Sequence, residues 1–176
     1  GRGLNAASTG IDMLLVELLA GDLVAAERDV MPDYEFLTRA GETYYLSTIA
    51  ALLSRVVRDQ GRDDEALAYS RVAESTTASD DMESQALWRS IRAPIVARAG
   101  NLTEAESLAR SAVELSQHSD APQMRADALS ELAAVLLLAD RSADARVAIN
   151  EAITIYEAKG DLVSSARASD WGSRLN

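Results

Sequence analysis

The chain has 176 residues, 48% apolar and 5% aromatic, with a net charge of −11, no cysteine and one histidine, His118. That length suits one domain; the missing cysteines exclude disulfides, thiolate catalysis and thiolate metal sites; the acidity argues against a nucleic-acid partner, whose phosphates it would repel. No apolar run approaches the roughly 18 residues that cross a bilayer, so no membrane partner is expected.

The start, Gly1-Arg2-Gly3-Leu4-Asn5, lacks a signal-peptide pattern and an initiator Met. The sequence thus reads as a piece of a longer, cytoplasmic protein. Residues 1–7 are expected to form a flexible lead-in, and residues 8–176 a single helical domain. From Ser8 to about Ala20 the pattern is helical, with Ile11, Leu14, Leu15 and Leu18 on one side. A second helix begins near Leu23 and meets Pro32, where a kink is expected because Tyr34, Phe36 and Leu37 continue the apolar face. The third helix, Glu42 to Asp59, carries Tyr45, Ile49, Leu52, Leu53 and Val56 at helical spacing. Asp63-Asp64-Glu65 opens the fourth, where the helix dipole favours acid. After a polar loop over Ser75–Asp81, the fifth helix runs from about Met82 to Arg98, bent at Pro94. Thr103 with Glu106 three residues on suggests a capping box for the sixth helix. Pro122 sits well as the first residue of the seventh. Ser142 is a candidate cap for the eighth, which Lys159-Gly160 ends. A last helix from about Asp161 to Arg174 would cover the open end of the array with a polar outer side.

The turns between these helices recur. Gly21, Gly61, Gly100 and Asp140 stand 40, 39 and 40 residues apart, a period that means stacked repeats. Five residues after each comes alanine: Ala26, Ala66, Ala105 and Ala145. Ala73, Ala112 and Ala152 follow seven further on in the later three repeats. Small residues at these positions let two helix axes approach to about 8–10 Å. At the fourth turn Asp140 replaces glycine, so that turn must close without a left-handed glycine or with a strained residue, a geometry that Asp tolerates better than most.

Helix, glycine turn, then alanine five residues on resembles the tetratricopeptide repeat. The period exceeds that family's standard of about 34, and its Trp and Tyr signature positions are mostly aliphatic here. The resemblance implies an all-α fold: a right-handed α-solenoid of about four antiparallel helix pairs with a C-terminal capping helix. The repeats would span residues 8–41, 42–80, 81–120 and 121–160, with the cap over 161–176. The runs Tyr45–Leu53, Ser84–Arg89, Arg125–Leu129 and Ala152–Asp161 further resemble the C-terminal helical region of large bacterial signalling proteins. Those proteins carry a nucleotide cyclase or transcription-factor domain and then an AAA/STAND-type ATPase. The resemblance implies the sensor or scaffold end of such a protein. It implies no catalysis and no cofactor, with a protein or peptide as partner, which includes another domain of the same parent chain.

First helices line the concave groove in that family, so residues on the third, fifth and seventh helices are the candidates for binding. Trp88 with Arg92 four residues on could present a cation–π pair, and Trp and Arg are common anchors of binding hot spots; Trp88 could equally fill space between repeats, with Arg89 solvated. Arg55, Arg58, Arg89, Arg92 and Arg125 could form a basic stripe that takes an acidic peptide or a C-terminal carboxylate. The alternative is local pairing with Asp59, Glu83, Asp127 and Glu131, and Asp127 beside Arg125 favours neither reading. One histidine without cysteine makes neither a metal site nor a catalytic triad, and no phosphate-binding glycine loop or nucleophile elbow occurs. Self-association through an exposed array end and small-ligand sensing in the groove remain alternatives.

Overall fold

The computed structural model describes residues 4–174, and the chain there is all-helical. Among the described residues the helices are α1 (Leu4–Ala20), α2 (Leu23–Ala40), α3 (Tyr44–Asp59), α4 (Asp63–Thr76), α5 (Met82–Arg98), α6 (Leu102–Ser116), α7 (Pro122–Leu138), α8 (Ser142–Lys159) and α9 (Leu162–Ser173). None of them is long and apolar enough to cross a membrane. They gather into two compact units that divide between Ser84 and Gln85.

The recurring turn has one backbone solution. At each of the four positions its N–H bonds the carbonyl three residues back, and the next N–H bonds the carbonyl five residues back. These pairs are Gly21–Leu18 with Asp22–Glu17, Gly61–Arg58 with Arg62–Val57, Gly100–Ala97 with Asn101–Val96, and Asp140–Leu137 with Arg141–Leu136. That is the Schellman closure, which requires a left-handed residue. The glycines supply it at φ of 80°, 83° and 91°, and Asp140 adopts it at 58°. Asp140 therefore keeps the glycine geometry rather than opening the turn. The residue after each turn then lends its carbonyl to the alanine four residues later: Asp22 to Ala26, Arg62 to Ala66, Asn101 to Ala105 and Arg141 to Ala145. All four alanines are fully buried, as are Ala73, Ala112 and Ala152.

In the first unit α1 packs on α2 and α3, α2 on α3, and α3 on α4. Leu14, Val30, Leu37, Ile49, Leu53 and Val56 fill its interior. The Ser54 hydroxyl donates to the Ala66 carbonyl at 2.7 Å, which satisfies a polar group in the tightest part of the α3–α4 crossing. Where the later repeats have the second alanine, the first has Asp33, itself buried. Its carboxylate lies against Gly10 of α1, where an added Cβ would come within 2.3 Å of Oδ2. The second unit has one core shared by α5 to α9, from Ala93 and Ala97 through Leu129, Leu136 and Ile149 to Ala168.

Several helix starts differ from expectation. α1 begins at Leu4, so residues 4–7 are helical rather than a loose lead-in; residues 1–3 lie outside the described part. Asn101, not Thr103, is the N-cap of α6, and Arg141, not Ser142, is that of α8. Neither cap uses its side chain on the helix backbone. Asn101 and Arg141 already lend their carbonyls to Ala105 and Ala145, so Thr103 and Ser142 lie inside their helices, two residues and one residue past the cap. Glu42 lies outside α3 and caps it, accepting from the N–H groups of Tyr44 (2.9 Å) and Tyr45 (3.0 Å). Asp22 and Asp161 cap α2 and α9 in the ordinary way. Pro32 and Pro94 lie inside α2 and α5, each a single helix from end to end.

Candidate partner-binding site

Trp88, Arg89 and Arg92 form one cluster on α5. Trp88 is 4% exposed, and its indole N–H donates to Gln85 Oε1 at 3.2 Å. The guanidinium carbons of Arg89 and Arg92 stand 4.2 and 4.4 Å from the Trp88 ring centroid. Arg89 also donates to the Gln85 carbonyl at 2.8 Å and to the Gln85 side-chain oxygen. Arg92 is 8% exposed. The Trp88 ring thus contacts two cations. Each such contact contributes about 0.5–2 kcal/mol, the larger figure where water is excluded. Gln85 completes the cluster because it sits one turn before Trp88 and Arg89, and its side chain accepts from both.

The other candidates make local ion pairs and hydrogen bonds of their own. In the first unit Arg55 and Arg58 share Asp59: Arg58 Nε lies 2.9 Å from one carboxylate oxygen and Arg55 Nε 3.9 Å from the other. On α7 Arg125 pairs with Glu151 of α8, and Asp127 accepts the Tyr156 hydroxyl at 2.5 Å. Tyr156 is buried, so Asp127 holds α7 to α8. The Nε atoms of Arg55 and Arg125 are buried without a hydrogen-bond partner.

A second ionic pattern repeats with the fold. Arg62, the residue after Gly61, bonds Glu27 Oε2 at 2.5 Å and Glu65 Oε2 at 2.9 Å. Arg141, the residue after Asp140, bonds Glu106 at 2.6 Å and Asp144 at 2.5 Å. The long-range partner is 35 residues back in both cases. These arginines hold the Glu27 carboxyl and, with Arg110 acting first, the Glu106 carboxyl below the usual carboxylate range. The staple ties the turn of one repeat to the second helix of the repeat before it. Among the described residues no three His, Cys, Asp or Glu side chains gather as a metal site would need.

No family model matches the chain, and no curated protein matches it. Among solved structures it is similar to the crystal structure of BtubC (BKLC) from P. vanneervenii, with a TM-score of 0.60 and 20% sequence identity over 97% of this chain and 80% of that one. At this identity the likeness speaks to the fold.

Proposed function

We propose that the chain is a non-catalytic, tetratricopeptide-like interaction module whose partner is an acidic peptide segment, bound at the arginines of α5. The observation that carries this reading is the Trp88 cluster. In a protein of net charge −11 a buried tryptophan ring holds two guanidinium groups against it, that of Arg89 half-buried and that of Arg92 buried. A guanidinium suits a carboxylate, which it binds through two parallel hydrogen bonds, and one already held against a ring, as Arg89 is, loses less side-chain entropy on binding. The stacked helix pairs support the same reading, since such arrays present extended binding surfaces. The resemblance noted in the sequence supports a role in the regulatory or scaffold part of a larger bacterial signalling protein, and the cysteine-free sequence suits the cytoplasm.

The test is a titration with an Asp/Glu-rich peptide, read by Trp88 fluorescence in a Trp171→Phe background. Binding that weakens with salt and falls about tenfold or more in Arg89→Ala, as loss of a charged interface anchor does, supports the reading. Equal binding of a Lys-rich peptide, or indifference to Arg89→Ala in a protein that circular dichroism shows to be folded, sinks it.

A further inference from the structure

We infer that the outer face of α1 docks an amphipathic helix whose apolar stripe is flanked by Lys or Arg. A helix that is apolar all round is normally buried on every side, and α1 is apolar on both faces. Leu14 and Leu18 point inward and are buried, while Met13, Leu15, Val16 and Leu19 are 51%, 41%, 60% and 41% exposed. At 3.6 residues per turn, Met13, Val16 and Ala20 form one outer ridge and Leu15 and Leu19 another, leaving a groove of the kind an incoming helix fills. α9, the last helix, exposes Leu162 and Val163 in its first turn, but beyond them Arg167 and Asp170 are exposed on its outer side.

Charge identifies the occupant. The only charged residues of α1 are Asp12, exposed within the apolar face, and Glu17 at its edge, and both are acidic. Glu17 Oε2 is buried with no hydrogen-bond partner. The ionisable groups that act on it most are a second acid, Asp29 of α2, then Arg28 and Asp22. Arg28 is occupied with Asp29, which it grips through Nε and Nη2 at 2.6 and 2.8 Å. Burial, followed by the Asp29 carboxylate, pushes the Glu17 carboxyl up. This edge thus sets one arginine, Arg28, against Glu17, Asp22 and Asp29, and a Lys or Arg on the docking helix offsets the remaining negative charge. A second copy of α1 brings only more acid to Asp12 and Glu17, and an anionic bilayer does the same. The surface takes the opposite charge to the arginine cluster of α5 and does not rest on the reading given for it.

The test uses the full chain and a labelled peptide of about five helical turns, with leucines along one stripe and lysines on both flanks. A matched peptide has glutamate in place of lysine. Fluorescence anisotropy is expected to show saturable binding of the lysine peptide, with the glutamate peptide at least about tenfold weaker. Val16→Asp and Met13→Asp, both at exposed positions, are expected to weaken binding about tenfold or more, Glu17→Gln about threefold, and Arg89→Ala not at all. Circular dichroism checks that each variant remains folded. Equal binding of the two peptides, or indifference to both Asp variants, overturns the inference. So does a concentration-dependent dimer in light scattering that Val16→Asp dissolves, which would make a second copy the occupant. Anionic vesicles that compete with the peptide overturn it as well.

Discussion

Ala66 and Ala68 lie two residues apart on α4, and the same substitution should have opposite consequences at the two. Ala66 is fully buried at the α3–α4 crossing, and its carbonyl accepts the Ser54 hydroxyl; Ala68 faces solvent. Leucine at either position adds the same three carbons and keeps a strong helix former, so intrinsic propensity cancels between the two. At Ala66 those carbons have no space unless the helices separate or Leu53 and Val56, fully buried on α3, leave their rotamers. Overpacking of this kind costs about 1–3 kcal/mol. At Ala68 the change should stay within about 0.5 kcal/mol, as for most surface substitutions. Urea denaturation followed by far-UV circular dichroism measures both. The chain has two compact units, so the comparison is of midpoints within the transition of the first. A neutral Ala66→Leu, or equal losses at the two positions, would refute the claim that alanine five residues after the turn is a steric requirement.

Asp140→Gly should hold or raise stability by up to about 1 kcal/mol, because glycine occupies φ of 58° without the left-handed cost, whereas Asp140→Val should lose about 1–2 kcal/mol; thermal melts of the two variants rank them. Gly10→Ala should destabilise by about 1 kcal/mol through its clash with Asp33, yet become neutral or stabilising in an Asp33→Ala background, where only the helix propensity of alanine remains. A denaturation double-mutant cycle that shows no coupling would refute that packing. Two glutamates should respond to acid in opposite directions. Glu106 is held low by Arg110 and Arg141, so its stabilisation is present above the unfolded value of about 4.3 and fades as the pH falls through the folded value; Glu106→Gln should cost stability at neutral pH and little in acid. Glu17 is held high by burial, so its ionisation costs stability as the pH rises past the unfolded value; Glu17→Gln should stabilise at neutral pH, and the gain should vanish in acid. Urea midpoints across a pH series read both.

The helix pairs were legible in the sequence because turn and crossing have local signatures: glycine for a left-handed closure, alanine five residues later for close approach. Asp140 shows how far that logic reaches, since its period predicted the turn and its chemistry the strained φ. Helix starts were less legible. Thr103 and Ser142 looked like caps by residue type, but the Schellman closures at Gly100 and Asp140 commit the chain to helix two residues or one residue earlier through backbone bonds that no side chain reports. Partners across helices were not legible at all. Glu151 for Arg125 and Tyr156 for Asp127 depend on which turns of α7 and α8 meet. The Arg62–Glu27 and Arg141–Glu106 staples carried a readable signal, a shared separation of 35 residues at equivalent repeat positions. That signal shows only when the repeats are laid over one another. The Trp88–Arg92 stack was readable as a spacing of four on one helix face, and a space-filling Trp88 as its alternative; that one ring is both buried and in contact with two guanidiniums was not.

The proposed role rests on the arginines held by Trp88, and nuclear magnetic resonance observes them directly. The Trp88 indole N–H and the Nε–H groups of Arg89 and Arg92 give resolved signals in a nitrogen-labelled sample. Titration with an Asp/Glu-rich peptide is predicted to shift these three together, saturably and less at high salt, while the Trp171 indole stays in place. Shifts confined to other helices, or none at peptide concentrations well above the millimolar range expected of even a weak transient contact, would contradict the account.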